Sequence, residues 1–306
     1  MNVKSTRFKV VDILLLAGAI LPILAIITLK VLFSSPAEGI EITGAMVYFT
    51  IPMPIQPLLI TEALINSWAV MLTILFLCLY LTHGITAVPV TKRQLAAEWV
   101  VDTCNRLVEM NMGSYFKAYP PFIAGIMALS ALSSLSSLLG VFPPTSDINI
   151  VGGWAILTFG LITYYKLKCG LLNYLKGFTE PIVVLLPLNI LGEVASPLSL
   201  AFRHYGNILS GSVIAVLLAA AFTGVSNMLL GWLPGVLGDF PLFRIGIPAV
   251  LSLYFDIFSG CMQAFIFAML TMLNVAGAFA QEDYEARRAK KLAKKQAKTA
   301  QTAKAE

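Results

Sequence analysis

Charge is what this sequence has least of. Asp, Glu, Lys and Arg make up 12% of its 306 residues, whereas about a quarter is usual in soluble domains. Hydrophobic residues make up 58%, and the mean hydropathy is +0.83. That balance excludes an ordinary soluble domain and points to a chain that crosses a membrane several times. Cysteine is also scarce. Cys78, Cys104, Cys169 and Cys261 stand singly with no CxxC pair, a pattern that suggests neither a disulfide scaffold nor a thiolate metal centre. His83 and His204 are the only histidines, too few for a His-rich metal site. No GxxxxGK[ST], GxGxxG, HExxH or GxSxG occurs, so nucleotide binding, zinc proteolysis and serine hydrolysis lack their marks, and no cofactor is called for. The net charge of +5 does not indicate nucleic acid. Eight of the 21 Lys and Arg lie between Arg287 and Lys304, in the low-complexity stretch around KKLAKKQAKTA.

What the chain has instead is long apolar runs. Four of spanning length lie near 11–33, 64–84, 121–141 and 151–167, and two longer ones near 182–224 and 246–281. Six segments place both termini on one side, and the charges name that side. Lys4, Arg7 and Lys9 precede the first run. Lys92, Arg93, Arg106 and Lys117 lie between the second and third, and Lys166, Lys168 and Lys176 follow the fourth. The alternate loops, 34–63, 142–150 and 225–242, hold Glu38, Glu41, Glu62, Asp147 and Asp239 and no Lys or Arg. By the positive-inside rule both termini are expected in the cytoplasm. Lys30 and Arg244 sit near outer helix ends, from which they can snorkel. The expected class is therefore all-α, a polytopic transmembrane helical protein of about six segments. Residues 1–34 form an N-terminal helix that also has the look of a signal peptide. Residues 35–281 form the membrane domain, and 282–306 a basic cytoplasmic tail suited to anionic lipid. Residues 85–118 read as an amphipathic cytoplasmic helix. Ser130, Ser133, Ser134 and Ser137 give the third membrane helix a small-residue packing face.

Residues 182–224 would make a helix of about 65 Å, and 249–280 one of about 48 Å, against a hydrocarbon core of about 30 Å. Such a hairpin must tilt steeply or break, and Pro187 and Pro197 offer breaks in its first arm. Its apolar surface carries a polar stripe. Glu193, Ser196, Arg203, Asn207 and Ser210 recur at helical spacings on the first arm, and Asp256, Ser259, Gln263 and Asn274 on the second. Arg203 cannot snorkel, and a guanidinium at mid-membrane costs about 2.5–3.5 kcal/mol on insertion scales. Glu193 lies ten residues away, about 15 Å along a helix, and is no direct partner. Asp256 remains a possible partner, in which case Arg203 is one half of a buried pair. Alternatively the order inner acid, central guanidinium, outer acid describes two half-pathways for an ion, separated by a charge that stays fixed.

The stretches PLSLAFRHYGNILSG and MQAFIFAMLTMLN closely resemble subunit a of F-type ATP synthases, the stator of the membrane sector. PTSDINI before the fourth helix and PLNILGEVASP before the arginine belong to the same resemblance, which covers about residues 50–281. It implies that Arg203 faces the carboxylates of a rotating c-ring, with Asn207 and Gln263 beside it. Glu193 and Asp256 would serve the inner and outer half-channels, flanked by Ser196 and Ser210. The partners implied are the c-ring, the b subunits of the peripheral stalk, membrane lipid and a translocated proton or sodium ion. The location implied is a bacterial-type cell membrane. The chain departs from the usual Leu-Phe after the arginine, having His204 and Tyr205. His204 is either a packed neutral side chain or a titrating group of the path. Two other classes compete. A self-contained cation channel or secondary carrier would need a repeat or a substrate pocket, and neither is visible. An intramembrane enzyme would have to rely on His83, which stands at a helix end.

Overall fold

A computed structural model describes residues 3–33, 44–54, 56–86, 91–179, 182–230, 250–251, 253–282, 284–285 and 289, without the side chains of 3–8 and Asn173. Eight α-helices carry these residues: α1 Val3–Phe33, α2 Glu62–Thr82, α3 Lys92–Met112, α4 Pro120–Leu135, α5 Ile148–Cys169, α6 Leu171–Thr179, α7 Leu186–Leu230 and α8 Gly260–Gly277. Local chemistry marks their ends. Thr61, Thr91 and Asp147 cap α2, α3 and α5, each side-chain oxygen accepting an otherwise orphaned N–H, from Leu64, Gln94 and Asn149. Pro120 and Pro121 open α4 where no N–H is needed. Its 3-10 extension, Ser136–Leu139, stops at Gly140, whose φ of 70° suits a residue without a Cβ.

Among the described residues, six helical stretches are long and apolar enough to cross a membrane: Lys9–Phe33, Glu62–Thr82, Pro120–Leu139, Ile148–Cys169, Val183–Leu230 and Tyr254–Gly277. They fall where the apolar runs predict them. Their outward surfaces are apolar, as Leu14, Leu72, Ile156 and Leu188 illustrate. α3 is the expected helix between the second and third spans, though it leaves Leu95, Trp99 and Met110 exposed, and α6 is a short helix after the fourth.

The structure departs from the sequence reading in three places. Within the 34–63 loop, β1 (Val47–Ile51) and β2 (Leu58–Thr61) form an antiparallel hairpin. The first arm of the long hairpin is not broken: α7 runs 45 residues, about 67 Å, through Pro197. Pro187 falls in its first turn, where proline is tolerated. Tilt, not a break, therefore reconciles α7 with a bilayer. The second arm is not a uniform α-helix either, since Tyr254–Ser259 form a π turn before α8. Arg244 and Asp239, like the body of the basic tail, lie outside the described residues.

Packing is built on small residues. Ser130, Ser133 and Ser134 on α4 are all but fully buried. Gly260 lies so close that a Cβ there would meet the Ser134 Cβ at 2.9 Å. Close backbone approach of this kind is how membrane helices gain van der Waals contact where no hydrophobic force drives them together. Phe267, Met272 and Val275 of α8 fill the core with Ile123 of α4 and Ile162 of α5.

Each end of the bundle is tied by polar contacts. At one end Asp12 of α1 accepts from Arg93 of α3 at 2.8 Å and lies 2.9 Å from His83 Nδ1, just past α2. Lys168 closes the same end. It donates to the Tyr115 hydroxyl at 2.9 Å and lies within 6 Å of the ring centres of Tyr115, Tyr164, Tyr165 and Tyr284. At the other end Glu62, buried, faces Lys30 at 3.4 Å and accepts the Phe142 N–H at 3.1 Å. Asn66 donates to the Phe142 carbonyl at 2.8 Å.

Candidate functional site

The polar stripe lies on α7 and on the π turn and α8 that follow it. Arg203 is exposed on α7 and makes no ion pair among the described residues. The alternative of a simple buried pair with Asp256 is therefore not what the described contacts show. Ser196 and Ser210 are exposed as well, while Asn207 is half-buried and faces the second arm. Its amide Nδ2 donates to the Ser259 hydroxyl, a contact that joins the two polar stripes directly. Ser259 ends the π turn that carries Asp256, which is half-buried. The turn itself seats against α7: Gly211 lies beneath Phe255, and a Cβ there would come within 3.3 Å of that side chain. Gln263, one turn into α8, is half-buried and makes no described contact with Arg203. Single π turns inside helices widen the backbone locally and recur at functional sites.

His204 departs from the stripe. One residue beyond the exposed arginine, it turns into the bundle, where it is 1% exposed. Its Nε2 lies 3.2 Å from Ser130 Oγ, and the Trp154 and Phe267 rings meet it edge-on. Of its two readings, the geometry fits the packed side chain.

Glu193 is held differently from Arg203. Its Oε2 accepts from Lys166 Nζ at 2.6 Å and its Oε1 lies 3.5 Å from the Tyr174 hydroxyl. The glutamate side chain is 10% exposed and the lysine 32%. Burial, and then the nearby Glu193 charge, push the Tyr174 phenol above its usual range, so it stays a hydrogen-bond donor. Two cavities meet at this pair. One, about 370 Å³, is lined by Tyr174, Phe178, Asn189 and the chain at 278–280. The other, about 390 Å³, reaches Ser196 and Asn274. Both are lined by Lys166, Glu193 and Ala278.

What the sequence does not signal is a set of contacts: Lys166 and Tyr174 with Glu193, Ser259 with Asn207, and Ser130 with His204. In the sequence Lys166 reads only as a basic residue after the fourth apolar run; in the fold it lies inside α5 and turns onto α7. Its spacing from Tyr165 and Lys168 gave no signal of an acid partner 27 residues away. Ser259 was visible in the second polar stripe, three residues after Asp256, but not as the partner of Asn207.

Comparison with known proteins identifies the family of the chain. A profile of the family described as ATP synthase A chain matches residues 64–275. The "ATP synthase subunit a" of Bacillus pumilus is 33% identical over 218 residues, 66% of this chain and 86% of that one. The "ATP synthase subunit a, sodium ion specific" of Propionigenium modestum is 28% identical over 242 residues, 74% and 76% of the two chains. An "ATP synthase subunit a 2" of a Bradyrhizobium strain is 28% identical over 231 residues, 75% and 93%. The matched region runs from the first turn of α2 through α3 to α7 and the π turn to nearly the end of α8, so the chain belongs to the ATP synthase A chain family.

Proposed function

We propose that the chain is the ion-conducting stator of the F0 membrane sector, with Arg203 as the fixed charge that separates two half-channels. The observation that carries this reading is the arginine itself: exposed on an apolar helix, with no ion pair among the described residues. A guanidinium stays protonated even when dehydrated. It repels a cation arriving along the path and attracts a carboxylate presented from outside the chain. Such carboxylates would belong to the c-ring. A protonated rotor carboxyl passes through lipid, loses its proton beside Arg203 and regains one from the other half-channel, so that ion flow turns the ring.

Glu193 and Ser196 line the inner half-channel in this reading, and Asp256 the outer one. Asn207, Gln263 and Ser210 complete the polar face toward the rotor. His204 lies behind that face and shapes it without carrying the ion. The basic residues at one end of the helices favour cytoplasmic termini, and the membrane is that of a bacterial cell. The b subunits of the peripheral stalk would hold the chain against rotation. The chain forms no bond itself; its part in ATP synthesis is coupling.

The test is Arg203→Ala in the assembled complex, read as ATP-driven ion pumping and as passive leak after removal of the soluble sector. Pumping is expected to be lost with normal assembly, and leak to rise. Full pumping in the variant would refute the reading.

A further inference from the structure

We propose that the Lys166–Glu193 ion pair is a gate dividing the inner half-channel into an entry cavity and a deeper cavity, and that Lys166 is a positioning residue holding Glu193 across their junction. The proposal rests on the reading of Glu193 as part of the inner half-channel.

The geometry points to it in three steps. First, the two cavities, about 370 and 390 Å³, are both lined by Lys166, Glu193 and Ala278, so the pair and one small residue stand where they meet. Second, the cavities lie on opposite sides of the pair along α7. The first is lined by Asn189, four residues before Glu193, and by Tyr174 and Phe178 of α6. The second is lined by Ser196, three residues after Glu193 and seven before Arg203, about 10 Å along the helix. Asn274 of α8 faces it from the other side. Third, the partners differ in freedom. Glu193 is 10% exposed and has Tyr174 at 3.5 Å from its second oxygen, whereas Lys166 is 32% exposed on a flexible four-carbon stem. Lysine is therefore the part that can swing.

Charge explains why a pair serves better than a lone acid. A bare carboxylate in a narrow cavity would bind an entering cation and hold it. With the ammonium at 2.6 Å the junction carries no net charge, yet keeps carboxylate oxygens through which a proton can pass. Closed, the pair stands in the shared lining of the two cavities; with the lysine turned aside, water joins them.

The experiment introduces Asn274→Cys into the deeper cavity of the full complex in inverted membrane vesicles. A small neutral thiol reagent, methyl methanethiosulfonate, is added from the cytoplasmic side. Modification of the peptide containing residue 274 is followed by mass spectrometry, with Lys166 intact and with Lys166→Ala, Lys166→Met and Lys166→Arg. Labelling is expected to rise about fivefold in the Ala and Met variants, the population change that a partly exposed ion pair supports, and to return to the parent rate with Arg. Met keeps the length and apolar packing of the lysine stem, so it separates loss of charge from loss of volume. An unchanged rate in both neutral variants would overturn the gate. So would failure of both to assemble, since that would assign the pair to folding. The labelling needs no turnover, so it stands apart from the Arg203 test. Gate failure with loss of pumping in Arg203→Ala removes only the gate, and pumping retained in Arg203→Ala removes the stator reading whatever the labelling shows.

Discussion

Gly260 is the position at which the contact between α4 and α8 can be tested with a change of one methyl group. A Cβ there meets the Ser134 Cβ at 2.9 Å, whereas non-bonded carbons rest at about 3.5–4.0 Å. Ser134 Cβ is fixed to its backbone and cannot rotate away, so the helices must part by roughly 0.6–1 Å for that contact to relax. Overpacking of this kind costs about 1–3 kcal/mol. Against it stands the helix propensity of Ala over Gly, about 1 kcal/mol. Gly260→Ala alone is therefore expected to destabilise the chain by up to about 2 kcal/mol. In a Ser134→Gly background the obstructing atom is gone, and the same Gly260→Ala should become neutral or stabilising by up to about 1 kcal/mol. The assay is a double-mutant cycle on reversible unfolding in mixed detergent micelles, with ATP-driven pumping of the assembled complexes alongside. Because Ser259 precedes Gly260 and accepts from Asn207, pumping should fall in the single variant and recover in the double. A coupling energy below about 0.5 kcal/mol, the scatter of independent sites, would refute the close-packing argument.

Two further outcomes follow from the geometry. Ser259→Ala removes the acceptor of Asn207 and should cost about 0.6 kcal/mol, the mean for hydrogen bonds between membrane helices, and at most about 1.7, with slower pumping in a normally assembled complex; unchanged pumping would detach the Asn207 contact from coupling. Cys104 is buried on α3, and burial pushes its thiol above the ordinary range; a raised value means less thiolate at any given pH, so iodoacetamide at pH 8 should leave Cys104 unmodified in the native complex and modify it readily after denaturation.

The six spans could be read from the sequence because a run of some twenty apolar residues has few other fates, and the charges between the runs supplied the order of the ends. The arginine stripe was legible for the same reason, since a charge against that background is conspicuous. What stayed hidden depended on pairings across the fold. Lys166 reads as one more basic residue at a helix end; only the approach of α5 to α7 makes it the partner of Glu193. The π turn has no compositional mark, because YFDIFS is as compatible with an α-helix. Pro197 misled in the opposite direction, since proline in a long membrane helix is tolerated when neighbouring groups satisfy the freed carbonyl. The hairpin at 47–61 does carry a signal, VYFTI and LLIT around a proline-rich turn, but the charges that order the loops say nothing of it.

The contrast between the two charged sites bears on which class of transporter this chain can be. A self-contained channel must turn its polar groups inward, because lipid offers an exposed guanidinium nothing in return. Here the inward position is taken by His204, packed on Ser130 and two aromatic rings, while Arg203 one residue earlier stays exposed with Ser196 and Ser210 on the same helix. Glu193, by contrast, is neutralised within the chain by Lys166. The molecule thus settles the charge beside its inner cavities and leaves the one on its outer face open. An open charge on an apolar face is costly in isolation and useful only if a second surface brings acids to it. That is what the proposed stator role asks of the face turned to a rotor. It is also why activity of the purified chain alone in liposomes should be absent while the assembled complex pumps.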